Sequence, residues 1–169
     1  MSTNDRELVE AALARLRADQ DVEEWPPVAR RFEQARERLG LTLDDVADRL
    51  GVANTEYWDI EFHHDEAFSC FSVVELRRIA TILDTPLEIL LFGSDFERPT
   101  DRISPTAIAE RLRTLAASEG LTIEELGDRV GWTLEPVMAD PASLLDFDLI
   151  ALSDVCNAIG VDWVAVMLA

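Results

Sequence analysis

The apolar residues of this chain recur at intervals of three and four, the period of helices with one buried face. Leu8, Val9, Ala12, Leu13 and Leu16 make the first such stripe, and Asn4 with Glu7 has capping-box spacing, so a short helix is expected over 4–18. A helix of that length is marginal alone in water, and should dock on the chain or on a partner. Asp19 to Glu24 form an acidic connector, closed by Trp25-Pro26-Pro27, where proline suits a first helical turn. The next helix should bury Val28, Phe32, Ala35 and Leu39 and stop at Gly40 in a left-handed cap. Thr42 and Asp45 repeat the capping-box spacing ahead of Leu43, Val46, Ala47 and Leu50. Gly51 provides a sharp turn that a Cβ would resist, and another helix should follow with Ala53, Tyr57 and Ile60 inward. Phe62 to Phe71 read as a loop. Ser72 and Glu75 then open a helix burying Val73, Leu76, Ile79, Ala80 and Leu83, and Thr85-Pro86 start a short one ending at Gly93. Ser94 to Ile103, polar and containing Pro99, read as a linker, after which Ser104-Pro105 restart a helix.

The pattern then repeats. GLTLDDVADRLG, from Gly40 to Gly51, aligns with GLTIEELGDRVG, from Gly120 to Gly131, with six identities in twelve positions at an offset of 80. Leu76 to Phe92 align with Leu152 to Leu168 at an offset of 76. Four residues are therefore missing from the second copy, and the expected place is the loop after its third helix. This is the signature of a tandem duplication.

The block LT-x-DDVADRLGV with Ile60-Glu61 resembles the helix-turn-helix of the phage repressor and Cro family, often called Xre-like. The resemblance covers about Pro27 to Gly93. It implies an all-α fold: an N-terminal helix followed by two tandem five-helix repressor-like domains. The expected boundaries are 1–24 for the N-terminal helix and connector, 25–93 for the first domain, 94–103 for the linker and 104–169 for a degenerate second domain. In that family the second helix of the motif reads DNA. The corresponding exposed positions here are Asn54, Thr55, Glu56, Trp58 and Asp59. The resemblance also implies a structural ion pair between Arg36 and Glu61. The equivalents in the second copy are Ala116 and Pro141, so both charges are lost together. Its recognition-like segment TLEPVMADP carries Pro136 and Pro141 and is expected to have kept the scaffold without the reading helix.

Charge changes this picture. The chain has 15 basic residues, all Arg, against 34 acidic ones, a net charge of −19. Residues 27–95 carry seven Arg against fourteen acids, and residues 101–169 carry four against twelve. Such a field repels phosphate backbones and attracts basic proteins, although acidity can also serve solubility alone. Asn54 and Thr55 could contact bases, but Glu56 to Glu66 hold five acids and no Arg. The Arg30, Arg31, Arg36 and Arg38 cluster lies at least partly outside the usual reading surface. DNA binding is thus disfavoured. A protein partner fits better, and a basic one would suit the acidic charge, met by Tyr57, Trp58 and Phe62 ringed by Glu56, Asp59, Asp65 and Glu66. DNA mimicry, an antitoxin role and an immunity role are versions of this reading. Self-association through the same face, or Trp58 simply covering the core or packing on the second copy, remain open.

Other chemistries find little support. His63, His64, Asp65, Glu66 and Cys70 offer metal-ligand types, but adjacent histidines diverge and match no familiar zinc spacing, so no metal is expected. Two histidines, no phosphate-binding glycine loop and no nucleophile beside a base argue against an enzyme and against a cofactor. Two distant cysteines, no apolar signal core and no apolar run of membrane-spanning length point to a cytoplasmic protein without a membrane partner.

Overall fold

The computed structural model describes residues 28–63 and 66–169, and the helix expected over 4–18, the acidic connector, His64 and Asp65 lie outside them. The described residues form helices joined by short turns, with no strand element, so the fold is all-α. Two compact units divide between Arg98 and Pro99, inside the stretch read as a linker.

The first unit contains α1 (Val28–Arg38), α2 (Leu43–Leu50), α3 (Asn54–Phe62), α4 (Glu66–Ser69), α5 (Val73–Ile82) and α6 (Leu87–Phe92). Local signals set these bounds. Thr42 accepts from the Asp45 amide while Asp45 accepts from the Thr42 amide, closing a capping box at the start of α2. That backbone hydrogen bond holds the Asp45 carboxyl below the usual range. Ser72 and Glu75 do the same for α5. Gly51 ends α2 at φ 83°, a left-handed conformation that admits glycine readily. The core is built from Phe32 of α1, Val46 and Leu50 of α2, Tyr57 and Ile60 of α3, and Leu76, Ile79 and Leu91 of α5 and α6. Helix α2 packs on α3 and α5, and α1 packs on α3 and α6.

Arginines close the C-terminal ends of these helices. Arg31 donates to the carbonyls of Leu90 and Leu91, Arg38 to those of Leu83 and Asp84, and Arg78 to that of Leu50. Each supplies donors where helical carbonyls lack intrahelical partners, and each places positive charge at the negative end of a helix.

Three local expectations are corrected. Leu39 is 39% exposed because α1 ends at Arg38 and the chain turns there, with the Leu39 amide bonding back to Arg36. Ala53 is exposed because it is the N-cap of α3; Tyr57 and Ile60 carry the inward stripe without it. The stretch read as one loop holds the short helix α4, with Ala67 and Phe68 buried.

The second unit contains α7 (Pro105–Glu119), α8 (Ile123–Val130), α9 (Glu135–Ala139), a 3-10 turn (Pro141–Asp146), α10 (Leu149–Ala158) and α11 (Trp163–Met167). Helix α8 begins and ends 80 residues after α2, with its own capping box at Thr122 and Glu125 and its own left-handed glycine, Gly131. Helix α10 lies 76 residues after α5 at both ends. The shortening expected in the following loop falls on the third helix itself, nine residues in α3 against five in α9. Pro141 has no amide to extend α9, and it holds Asp140 in an extended conformation at φ −136°, ψ 104°. Asp140 then caps the 3-10 turn, which packs on α7 where α3 packs on α1.

Gly127 marks the tightest point of this unit. A Cβ there would sit 2.7 Å from the backbone oxygen of Trp132, whose amide also bonds to the Gly127 carbonyl at 3.0 Å. Gly127→Ala should therefore destabilise the second unit by about 1–3 kcal/mol, since a backbone atom must move. The Ala47→Gly change at the equivalent place in α2 should cost only about 1 kcal/mol through helix propensity. Urea denaturation of the two variants checks the difference.

Candidate binding face of the first unit

Helix α3 is anchored from within and open outside. Its inner side carries Tyr57, Ile60 and Glu61. Arg36 of α1 meets Glu61 in a bidentate pair, Nε to Oε1 at 2.8 Å and Nη2 to Oε2 at 2.8 Å. The Glu61 side chain is only 2% exposed. Each group makes a further hydrogen bond: Arg36 Nη1 donates to the Leu41 carbonyl at 2.8 Å, and Tyr57 Oη donates to Glu61 Oε1 at 2.7 Å. Hydrogen bonding to Glu61 pushes the Arg36 guanidinium further above its ordinary value, and burial pushes the Tyr57 phenol up. Tyr57 therefore belongs to the core and not to the aromatic face in which it was placed from sequence; its ring is fully buried and its hydroxyl is committed to Glu61.

The outer side holds the other named residues. Trp58 is 38% exposed and Phe62 55%, and their rings stack with centroids 4.2 Å apart. His63 approaches the Trp58 ring edge-on at 5.8 Å and lies 3.9 Å from Asp59. Asn54, Thr55 and Glu56 are exposed on the first turn. Two of these three are tied locally: Asn54 donates to Asp44 of α2, and Glu56 accepts from the Ala53 amide at 3.0 Å. Asn54, the side chain best suited to a base edge, thus has its amide engaged by a carboxylate.

Beside the aromatic pair lies a groove of about 320 Å³ lined by Val52, Glu56, Asp59, Glu66, Cys70, Phe71 and Glu75. Four carboxylates from three helices face this space. Cys70 donates to Glu66, and burial together with that bond pushes its thiol up to about 11. Among the described residues no group of three or more His, Cys, Asp or Glu converges closely enough to hold a metal ion. No helix of the described residues is long and apolar enough to cross a membrane.

The second unit lacks this arrangement. Ala116 stands in place of Arg36 and Val137 in place of Tyr57, both buried. Trp132 turns its indole Nε1 to Asp154 at 3.1 Å. Asp154 occupies the position of Arg78, so the same site in the fold changes from a donor to an acceptor. Neither the helix-capping arginines nor this exchange has a signature in local sequence, because each partner is distant along the chain.

Two outcomes follow from this geometry. Arg36→Ala and Glu61→Gln should each destabilise the protein by about 3–5 kcal/mol, because each strands a buried partner. Combined, they should cost less than the sum, and a double-mutant cycle from denaturation curves measures the difference. The alkylation rate of Cys70 should keep rising with pH up to about 11, because the neutral thiol persists until then. Iodoacetamide labelling across pH checks this, and Glu66→Gln should move the profile to lower pH.

No protein-family model, curated protein or solved structure matches the chain.

Proposed function

We propose that this chain is a non-enzymatic regulatory protein built on a repressor-like helix-turn-helix domain used twice, the second copy degenerate. It acts by binding a basic protein segment through the outer side of α3. The observation that carries this reading is the exposed Trp58–Phe62 stack on a helix that also contributes Glu56 and Asp59 to a groove lined by four carboxylates. Large exposed aromatics surrounded by polar groups suit a protein interface, where a few such anchors dominate binding. The order α2, sharp turn at Gly51, α3 supports the helix-turn-helix reading.

Charge separates this reading from its competitors. A DNA-binding regulator of the Xre type needs cations along the reading helix, and α3 has none while α2 adds Asp44, Asp45 and Asp48. Self-association through α3 would bring two acidic faces together in a protein of net charge −19. A basic partner meets neither obstacle. Antitoxin, immunity and DNA-mimic roles are all forms of this activity.

The paired change Trp58→Ala with Asp59→Ala should weaken partner retention by about 2 kcal/mol or more, with little change in melting temperature. An affinity pull-down with both proteins measures it, and an unchanged pull-down would remove α3 as the interface. Duplex DNA should not shift at low salt; a salt-sensitive shift would return the chain to DNA binding.

A further inference from the structure

We infer that the groove beside the aromatic stack receives an arginine side chain of the basic partner. This rests on the protein-binding reading of α3 and names the group that α3 and its neighbours select. The first observation is the exposed Trp58–Phe62 pair, which calls for a macromolecular partner. The second is the adjoining concavity, whose walls fix the chemistry of what enters.

Three of its carboxylates are positioned by hydrogen bonds to one oxygen, which leaves the other as a further acceptor. Glu56 Oε2 accepts from the Ala53 amide, Glu75 Oε2 from the Ser72 amide and hydroxyl at 2.9 and 2.8 Å, and Glu66 Oε2 from Cys70. Their Oε1 atoms accept no hydrogen bond among the described residues. Acceptors held this way lose little freedom when a cation arrives. They come from α3, α4 and the first turn of α5, and no three of the groove's acids and thiol converge tightly enough for a metal ion. Spaced acceptors suit a planar fork with five donors better than a point charge. Val52 and Phe71 provide an apolar floor for the methylene stem, as long cationic side chains require. Asp59 links the groove to the aromatic pair, since it lines the groove and sits on the turn that carries Trp58 and Phe62. The segment around the arginine then lies on the stack.

The test uses the full chain and two probes, nona-arginine and nona-lysine peptides, titrated by calorimetry at near-physiological salt. Nona-arginine should bind more tightly than nona-lysine. Glu66→Gln with Glu75→Gln should weaken nona-arginine about tenfold, since charge-assisted hydrogen bonds are lost. Glutamine keeps the capping role of Glu75, so the fold should survive. The same charge removed in the second unit, Glu124→Gln with Asp128→Asn, should change affinity by less than about twofold, the scale of screened long-range attraction. Equal losses in the two variants, or equal binding of the two peptides, would overturn the arginine site. If the groove variant binds normally while Trp58→Ala does not, the groove fails and the α3 face stands. If neither substitution matters, both fail. A melting curve for each variant verifies folding, and Glu66→Gln alone replaces the double variant should that one unfold.

Discussion

The pairing of Arg36 with Glu61 joins α1 to the end of α3 across the interior of the first unit. Removing two charges from water is costly, and the cost is offset only when the geometry is good and every remaining donor and acceptor is used. Here the pair is bidentate, and further bonds add to it: Leu41 accepts from Arg36 and Tyr57 donates to Glu61. The consequence reaches the surface. With Tyr57, Ile60 and Glu61 turned inward, helical geometry turns Trp58 and Phe62 outward, four residues apart on one side. The contact that fixes α3 is thus also the reason its aromatic pair is presented.

The second unit shows what the fold keeps when that contact is gone. The capping box at the start of the second helix, the left-handed glycines and the turn hydrogen bonds recur: Val52 to Ala47 has its counterpart in Trp132 to Gly127, and Thr85 to Ala80 in Val161 to Cys156. Even a strained position recurs. Asp84 has φ 46°, and its equivalent 76 residues later is Gly160 at φ 66°. Backbone geometry has been retained while the polar side chains have been exchanged. Where Ala116 and Pro141 stand in place of the arginine and the glutamate, the third helix has five residues and a 3-10 turn packs on α7.

Helices, caps and the repeat were legible in sequence because each depends on residues within one or two turns. Thr42 with Asp45, Ser72 with Glu75 and Ser104 with the Ala107 amide mark helix starts through contacts three residues apart. The misplacements share a cause. Leu39 and Ala53 were assigned by periodicity, which locates a face but not the residue at which a helix begins or ends. The groove was invisible for a further reason. Val52, Glu56, Glu66, Cys70 and Glu75 come from separate elements, and no spacing relates them.

By itself, then, the sequence determined an all-α chain, the capped starts of several helices, a pattern that recurs along the chain and an acidic composition poor in cations. These follow from local hydrogen bonding, apolar period and composition. Tertiary structure alone decided that Tyr57 serves the Arg36–Glu61 pair, that Trp58 and Phe62 stack in the open, and that Arg31, Arg38 and Arg78 are spent on helix ends. Those outcomes depend on which distant atoms meet when helices pack, and such meetings leave no mark on neighbouring residues.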